Sequence, residues 1–256
     1  MNPESPMPAL PPHQLSIVVP MYQEQDSVAP FVARVHECLG DYPHPWELLL
    51  VNDGSRDGTR AAIELAHQQL GAHIRLIELT RNYKQTAAMQ AGIDHARGDV
   101  IVTLDGDLQN DPIDIPRMVA RLLNEDLDLV AGWRQNRQDA LVMRKLPSRL
   151  ANALIARLTG IDIKDNGCSL KVFRASILRR IRLYGEMHRF IPAWLSTVTS
   201  PQRIAQEPVS HHARQFGESK YGISRTFRVV LDLFFVYFLD RKSTRLNSSH
   251  VALSRM

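Results

Sequence analysis

The residues best suited to chemistry in this chain are Asp105-Gly106-Asp107. Two carboxylates separated by one glycine repel and raise each other's pKa unless a cation or a hydrogen-bond donor stands between them. A hard divalent ion such as Mg²⁺, which takes oxygen ligands and keeps several waters, removes that conflict. A polar loop accounts for the same residues without a ligand, with Asp107 or Asp111 capping the helix that Pro112 opens. Glu24, Asp53 and Asp57 are further acids next to glycine or at loop entries. Cations able to bind an anionic ligand come later in the chain, among them Arg134, Arg144, Arg214 and Lys220.

Those groups need elements to hold them. Val100 to Leu104, just ahead of the paired acids, is β-branched and apolar, the pattern of a buried strand. Leu15 to Pro20, Trp46 to Val51, Ile74 to Leu79 and Leu127 to Gly132 read the same way. Between them, Val28, Phe31, Val32, Val35 and Leu39 recur at helical spacing, with Asp26 or Ser27 as cap and Gly40 as stop. Asp57 caps a second helix over Ala61 to Ala66. A third runs from Thr86 to His95, and a fourth from Pro112 to about Asn124. Five strands alternating with four helices over residues 15–132 predict an α/β fold, a mostly parallel sheet covered on both faces. Ligands bind such sheets outside the carboxyl ends of the strands. Glu24, Asp53, Asp105 and Asp107 all fall at such ends, and that shared edge favours a site over a set of unrelated turns.

Beyond Gly132 the pattern changes. Trp133 to Arg157 reads as an amphipathic helix with a basic side, the ordinary explanation being a surface helix with snorkelling side chains. Asp165 to Arg174 is a turn running into a strand. Arg214 and Lys220 flank Gly217, in either a loop that closes two cations over a diphosphate or an exposed hairpin. Thr226 to Leu239 is the most apolar segment; at 14 residues it is too short to span a bilayer and suits a buried or interfacial helix.

Of 256 residues, 44% are hydrophobic and 23% charged, which is ordinary for a globular protein. Two cysteines, Cys38 and Cys168, make no disulfide framework and fit a reducing compartment. Met1 to Gln14 holds five prolines and reads as a disordered lead-in, not a signal peptide. The net charge of +4 conceals an asymmetry: residues 1–128 carry 9 Lys+Arg against 19 Asp+Glu, and residues 129–256 carry 22 against 8. The acidic half suits a metal and the basic half an anionic partner. Nucleic acid ranks last among such partners, because the acidic half repels a polyanion and the arginines are not interleaved with aromatics.

Val18 to Glu24, Val51 to Thr59, Arg81-Asn82-Tyr83, Leu104 to Gln109 and Gly217 to Tyr221 resemble, in order, the successive motifs of family 2 glycosyltransferases. More narrowly they resemble the polyprenyl-phosphate branch, which contains the dolichyl-phosphate mannose synthases and the undecaprenyl-phosphate sugar transferases. The resemblance covers about residues 15–240. It implies a GT-A fold over residues 15–222, an amphipathic juxtamembrane helix over 223–240, and inverting transfer from a nucleotide-diphosphate sugar to a lipid phosphate. By motif position, Pro20, Tyr22, Glu24 and Asp53 surround the base and ribose, and Asp105 contacts the nucleotide. Asp107, with Gln109, holds Mg²⁺ or Mn²⁺, and Arg214 and Lys220 close over the donor. Arg144 and Ser148, with Arg134, meet the acceptor phosphate; Asp107, Arg144 and Ser148 form the catalytic set. The location implied is the cytoplasmic face of the inner membrane, and self-association stays open.

Gln23 stands where the family commonly has Asn, and Lys84 where it has Gly. Residues 241–256 resemble nothing in the family and read as an unstructured, foreign or truncated end. Three other readings compete. A transferase acting on a sugar hydroxyl would need a carboxylate base, for which Asp165 is the candidate. A nucleotide-sugar binder would not turn over. A sugar nucleotidyltransferase would need a glycine-rich phosphate loop after the first strand, and none is present.

Overall fold

The computed structural model describes residues 10–135 and 163–213, and within them seven strands form one sheet. The elements are β1 (Leu15–Met21), α1 (Gln25–Leu39), β2 (Trp46–Asn52), α2 (Thr59–Leu70), β3 (Ile74–Glu78), α3 (Gln85–His95), β4 (Val100–Thr103), α4 (Ile115–Asn124), β5 (Leu129–Trp133), β6 (Lys171–Arg174), α5 (Ala175–Leu178), α6 (Ile191–Leu195) and β7 (Ile204–Pro208). The strand order is β3-β2-β1-β4-β6-β5-β7. The first four strands in space are parallel; β6 is antiparallel to both β4 and β5, and β7 is parallel to β5.

Successive residues of the central strands enter different cores, as a period of two requires. Ile17, Val19, Leu48 and Leu50 pack with Phe31 and Val35 of α1, Ile63 of α2 and Met118 of α4. Val18, Leu49, Val51 and Ile101 pack on the other face with Met89 and Ile93 of α3 and with Leu178, Ile191 and Leu195. Each such large side chain contributes about 1.5–3 kcal/mol by leaving water. Strands buried on both faces are therefore apolar throughout, which is why they were legible as continuous runs.

Pro20 does not stop β1, which continues to Met21. Leu15 N donates to Pro45 O and Met21 O accepts from Asp53 N on the β2 side, while Val18 O accepts from Leu104 N on the β4 side. Pro20 thus faces β4, whose pairing with β1 has already ended at Thr103. Its missing N–H costs no ladder bond there.

Two expectations need correction. Neither Asp26 nor Ser27 caps α1, which begins one residue earlier, at Gln25. Its first amides are satisfied from across the sheet edge: Glu24 N donates to Thr59 Oγ1 (2.9 Å) and Gln25 N to Asp57 Oδ2 (3.4 Å). Asp57 also accepts from Thr59 N (3.1 Å), so it serves the start of both α1 and α2. Residues 10–14 of the expected lead-in are docked, with Leu10 and His13 buried. His13 Nε2 meets the Tyr42 hydroxyl at 2.5 Å, and Gln14 N donates to Asp99 Oδ2 at 3.0 Å. In the sheet, β6 lies between β4 and β5. The expected juxtamembrane helix and the tail lie outside the described residues; among the described residues no helix is long and apolar enough to cross a membrane.

Candidate functional site

The carboxyl ends of β1, β2, β4 and β5 lie along one edge of the sheet. Because β6 runs antiparallel, the turn that precedes it, residues 165–170, falls on that edge too. This edge collects Pro20, Tyr22, Glu24, Asp53, Asp105, Asp107, Gln109 and Arg134 from the predicted set. Arg144, Ser148, Arg214 and Lys220 lie outside the described residues.

The β2 end is built on a close approach. Gly54 has φ +63°, and a Cβ there would lie 2.3 Å from the Arg81 carbonyl carbon, so the loop after β3 packs directly on its backbone. Asp53 is buried beneath that loop and accepts from Tyr83 N at 2.7 Å and Lys84 N at 2.9 Å. Burial raises the Asp53 pKa, against the pull of those two amides. Lys84 has φ 78° and ψ 162°, a conformation that only glycine adopts without strain. The resemblance implies glycine at this position, and glycine would take up these angles without strain. Here the bond to Asp53 and the start of α3 hold lysine in its place. Gln23, at φ 53°, shows the milder version, since Asn tolerates the left-handed region better than Gln does. Its amide donates to Ser55 Oγ at 2.9 Å. Above this floor the Tyr83 ring is exposed, with the Arg81 guanidinium carbon 4.9 Å from its centroid.

At the β4 end, Gly106 lets the loop rest on β1: a Cβ would lie 2.4 Å from Met21 Sδ. Asp107 is buried, and its Oδ1 accepts from Gln109 N at 3.1 Å. Asp105 Oδ1 accepts from Gln85 Nε2 at 2.7 Å. Burial, and then the charge of Asp107, push the Asp105 pKa up to about 6, with Lys171, Ser169 and Arg134 opposing. The two carboxylates are thus in the electrostatic conflict that their spacing foretold. Ser169 ties the loop to the β6 turn, its Oγ accepting from Asp105 N (3.2 Å) and Asn110 Nδ2 (2.8 Å). Asp111 takes the capping role proposed for it, accepting from Ile113 N at 3.1 Å and from Arg34 at 3.0 and 2.9 Å. His212 N donates to Gln109 O at 2.8 Å, so the segment leading toward Arg214 is bonded to the acidic loop.

The β5 end carries the opposite charge. Arg134 Nε and Nη2 donate to Asp165 Oδ2 (2.7 Å) and Oδ1 (3.0 Å) in a two-pronged pair, its members 10% and 12% exposed. Beside it the Lys164 ammonium lies 4.0 Å from the Trp133 ring centroid. Lys171, the first residue of β6, is buried beneath, with Nζ donating to the Cys168 carbonyl and, at 3.4 Å, to the Asn166 carbonyl. Burial lowers the Lys171 pKa, while Cys168, Asp165 and Asp105 oppose the shift.

Gln85, Ser169 and Lys171 were not anticipated. Gln85 opens α3 and reads as an ordinary helix residue. Ser169 and Lys171 reach the site only because β6 is antiparallel, which strand periodicity does not disclose. A lysine inside an apolar strand, Leu170-Lys171-Val172-Phe173, was the available signal.

Residues 16–182 match the model of the family described as glycosyl transferase family 2. The chain belongs to that family. This glycosyltransferase is 56% identical over 232 residues to dodecaprenyl-phosphate galacturonate synthase from Rhizobium johnstonii, covering 91% of this chain and 69% of that protein. It is 41% identical over 225 residues to undecaprenyl-phosphate 4-deoxy-4-formamido-L-arabinose transferase from Salmonella choleraesuis, covering 88% and 68%. Its fold resembles glucosyl-3-phosphoglycerate synthase from Mycobacterium tuberculosis, solved with Mn²⁺, uridine diphosphate and glucosyl-3-phosphoglycerate (TM-score 0.68, 16% identity, 89% of this chain and 80% of that one). Mannosyl-3-phosphoglycerate synthase from Rubrobacter xylanophilus is similar at TM-score 0.68 and 17% identity, covering 86% and 72%. The GT-A fold expected from the motifs is the fold observed.

Proposed function

We propose that this glycosyltransferase moves a sugar from a nucleotide-diphosphate donor to a polyprenyl phosphate at the cytoplasmic face of the inner membrane. The observation that carries the reading is the pairing of acids and cations along one sheet edge, in a chain 56% identical to a dodecaprenyl-phosphate galacturonate synthase. A galacturonate donor is the first choice on that similarity, and a 4-formamido-arabinose donor the second.

The acceptor is a phosphate monoester, largely ionised near neutral pH, so its attack needs positioning and no general base. A phosphate oxygen bonds to the anomeric carbon with inversion. The bond from that carbon to the diphosphate oxygen breaks, and its electron pair leaves with the nucleoside diphosphate. Arg134 and, by motif position, Arg144 and Ser148 hold the acceptor phosphate against repulsion from the donor's own phosphates. Asp53, locked against Tyr83 and Lys84, forms the floor for the base with Pro20, Tyr22 and Glu24, while Arg214 and Lys220 close over the donor.

The residues present suit a divalent ion. Among the described residues no group of three or more His, Cys, Asp or Glu side chains could hold a metal alone. A pair of acids in conflict, Asp107 buried and Asp105 half-buried, suits Mg²⁺ or Mn²⁺, which complete their shells with phosphate oxygens and water. Asp107, with Gln109 beside it, would hold the ion, and when bound it neutralises charge developing on the leaving diphosphate.

The test is a donor panel in detergent with short-chain polyprenyl phosphate and Mn²⁺: UDP-galacturonate, UDP-4-deoxy-4-formamido-L-arabinose, UDP-glucose and GDP-mannose, each with and without EDTA. Lipid-linked sugar from one donor, abolished by EDTA, supports the proposal. Donor binding with no lipid product from any of them contradicts it.

A further inference from the structure

Asp165 is the carboxylate that a hydroxyl-acceptor mechanism would use as its base, and its surroundings argue for a different role. Both of its oxygens accept from the Arg134 guanidinium, and Oδ2 also accepts from Arg134 N at 3.3 Å. A carboxylate forked onto a guanidinium, with both side chains mostly buried, is neutralised in place and is a poor proton acceptor. What the fork does well is fix direction. It engages one edge of a planar group and so sets where the rest of that plane lies.

The turn that carries Asp165 is itself fixed from below. Lys171 pairs in register with Thr103 of β4 and Ala131 of β5, two residues short of Asp105 and three short of Arg134. From there its ammonium binds the carbonyls of Asn166 and Cys168, at either side of Gly167. A Cβ on Gly167 would lie 3.3 Å from Arg134 Nη2, so the turn wraps closely around the guanidinium. Burying a lysine to bind two carbonyls of a turn is costly, and that cost is understandable if the turn must be held to a fraction of an ångström.

We propose that Asp165 is a positioning residue that aims Arg134 at the acceptor phosphate, and that the buried Lys171 fixes the turn from which Asp165 acts. The inference rests on the reading of Arg134 as an acceptor-phosphate ligand.

The full chain in detergent is assayed as wild type, Asp165→Asn, Asp165→Glu, Lys171→Met, Arg134→Gln and the double variant Asp165→Asn/Arg134→Gln. Acceptor KM and kcat are measured for each, and donor affinity by calorimetry without acceptor. Asp165→Asn is expected to raise the acceptor KM by about tenfold with donor affinity unchanged, and to cause no further loss once Arg134 is already Gln. Lys171→Met moves acceptor KM in the same direction by a smaller factor. Asp165→Glu, which keeps the charge and is the safer variant for folding, raises acceptor KM with kcat retained. A fall in kcat at unchanged acceptor KM in either Asp165 variant overturns the proposal, as does a loss that adds in full to that of Arg134→Gln. A wild type that transfers to no polyprenyl phosphate would instead overturn the functional reading beneath it.

Discussion

The two halves of the site edge are held by different physics. On the β1–β4 side, Asp53 is fixed by two backbone amides and Asp105 by the Gln85 amide. Among the described residues no Lys or Arg forms an ion pair with either. On the β5–β6 side the acid Asp165 is matched by Arg134, with Lys171 below. Neutral donors orient a carboxylate without cancelling its charge; a guanidinium cancels it. On the proposed reading, the first half keeps negative charge for a cation that arrives with the donor diphosphate, and the second half presents a guanidinium whose direction is fixed by its acid.

That contrast can be broken from either side. The largest effect is expected from Asp107→Ala, which removes the proposed metal carboxylate: kcat/KM should fall by about 10²–10³ or more. The check is steady-state transfer across an Mn²⁺ titration, and a variant that responds to metal as wild type does would contradict the assignment. Asp53→Asn replaces one acceptor oxygen with a donor that faces an amide. A loss of about 1–3 kcal/mol in stability is expected, together with weaker donor binding, from denaturant unfolding and calorimetry.

Lys84→Gly sharpens the comparison in the other direction. It should stabilise the chain by about 1 kcal/mol by removing strain at φ 78°, readable as a higher unfolding midpoint. Because the Asp53–Lys84 bond is made by the backbone, glycine preserves it.

The smallest effect lies far from the edge. His73 packs against Trp46 and His36, and its Nε2 is buried with no hydrogen-bond partner among the described residues. Burial, and then His36, lower its pKa from 6.5. A histidine whose folded pKa lies below its unfolded value contributes fully above the unfolded value, and that contribution is lost as the pH falls through the folded one. Thermal unfolding between pH 7.5 and 5.5 should show a decline that shrinks in His73→Phe.

Much of this was readable from the chain alone, for a definite reason. Strands buried on both faces show as unbroken apolar runs, and an acid immediately after such a run must lie at the edge where ligands bind. Asp53, Asp105 and Asp107 declared themselves in that way. The cap of α1 did not, because Asp57 and Thr59 supply it from another loop. Nor did Ser169 or Lys171, since nothing local tells an antiparallel insertion from a further parallel strand. Lys84 was visible as a departure from the family, but its meaning required the backbone angle.

The most direct test of the division between the two halves is Arg134→Gln, followed by donor affinity and acceptor KM on the same preparation. The account predicts unchanged nucleotide-sugar affinity, with acceptor KM raised by about tenfold or more. Donor affinity falling in parallel with acceptor KM would show that the edge works as one undivided site, and would contradict it.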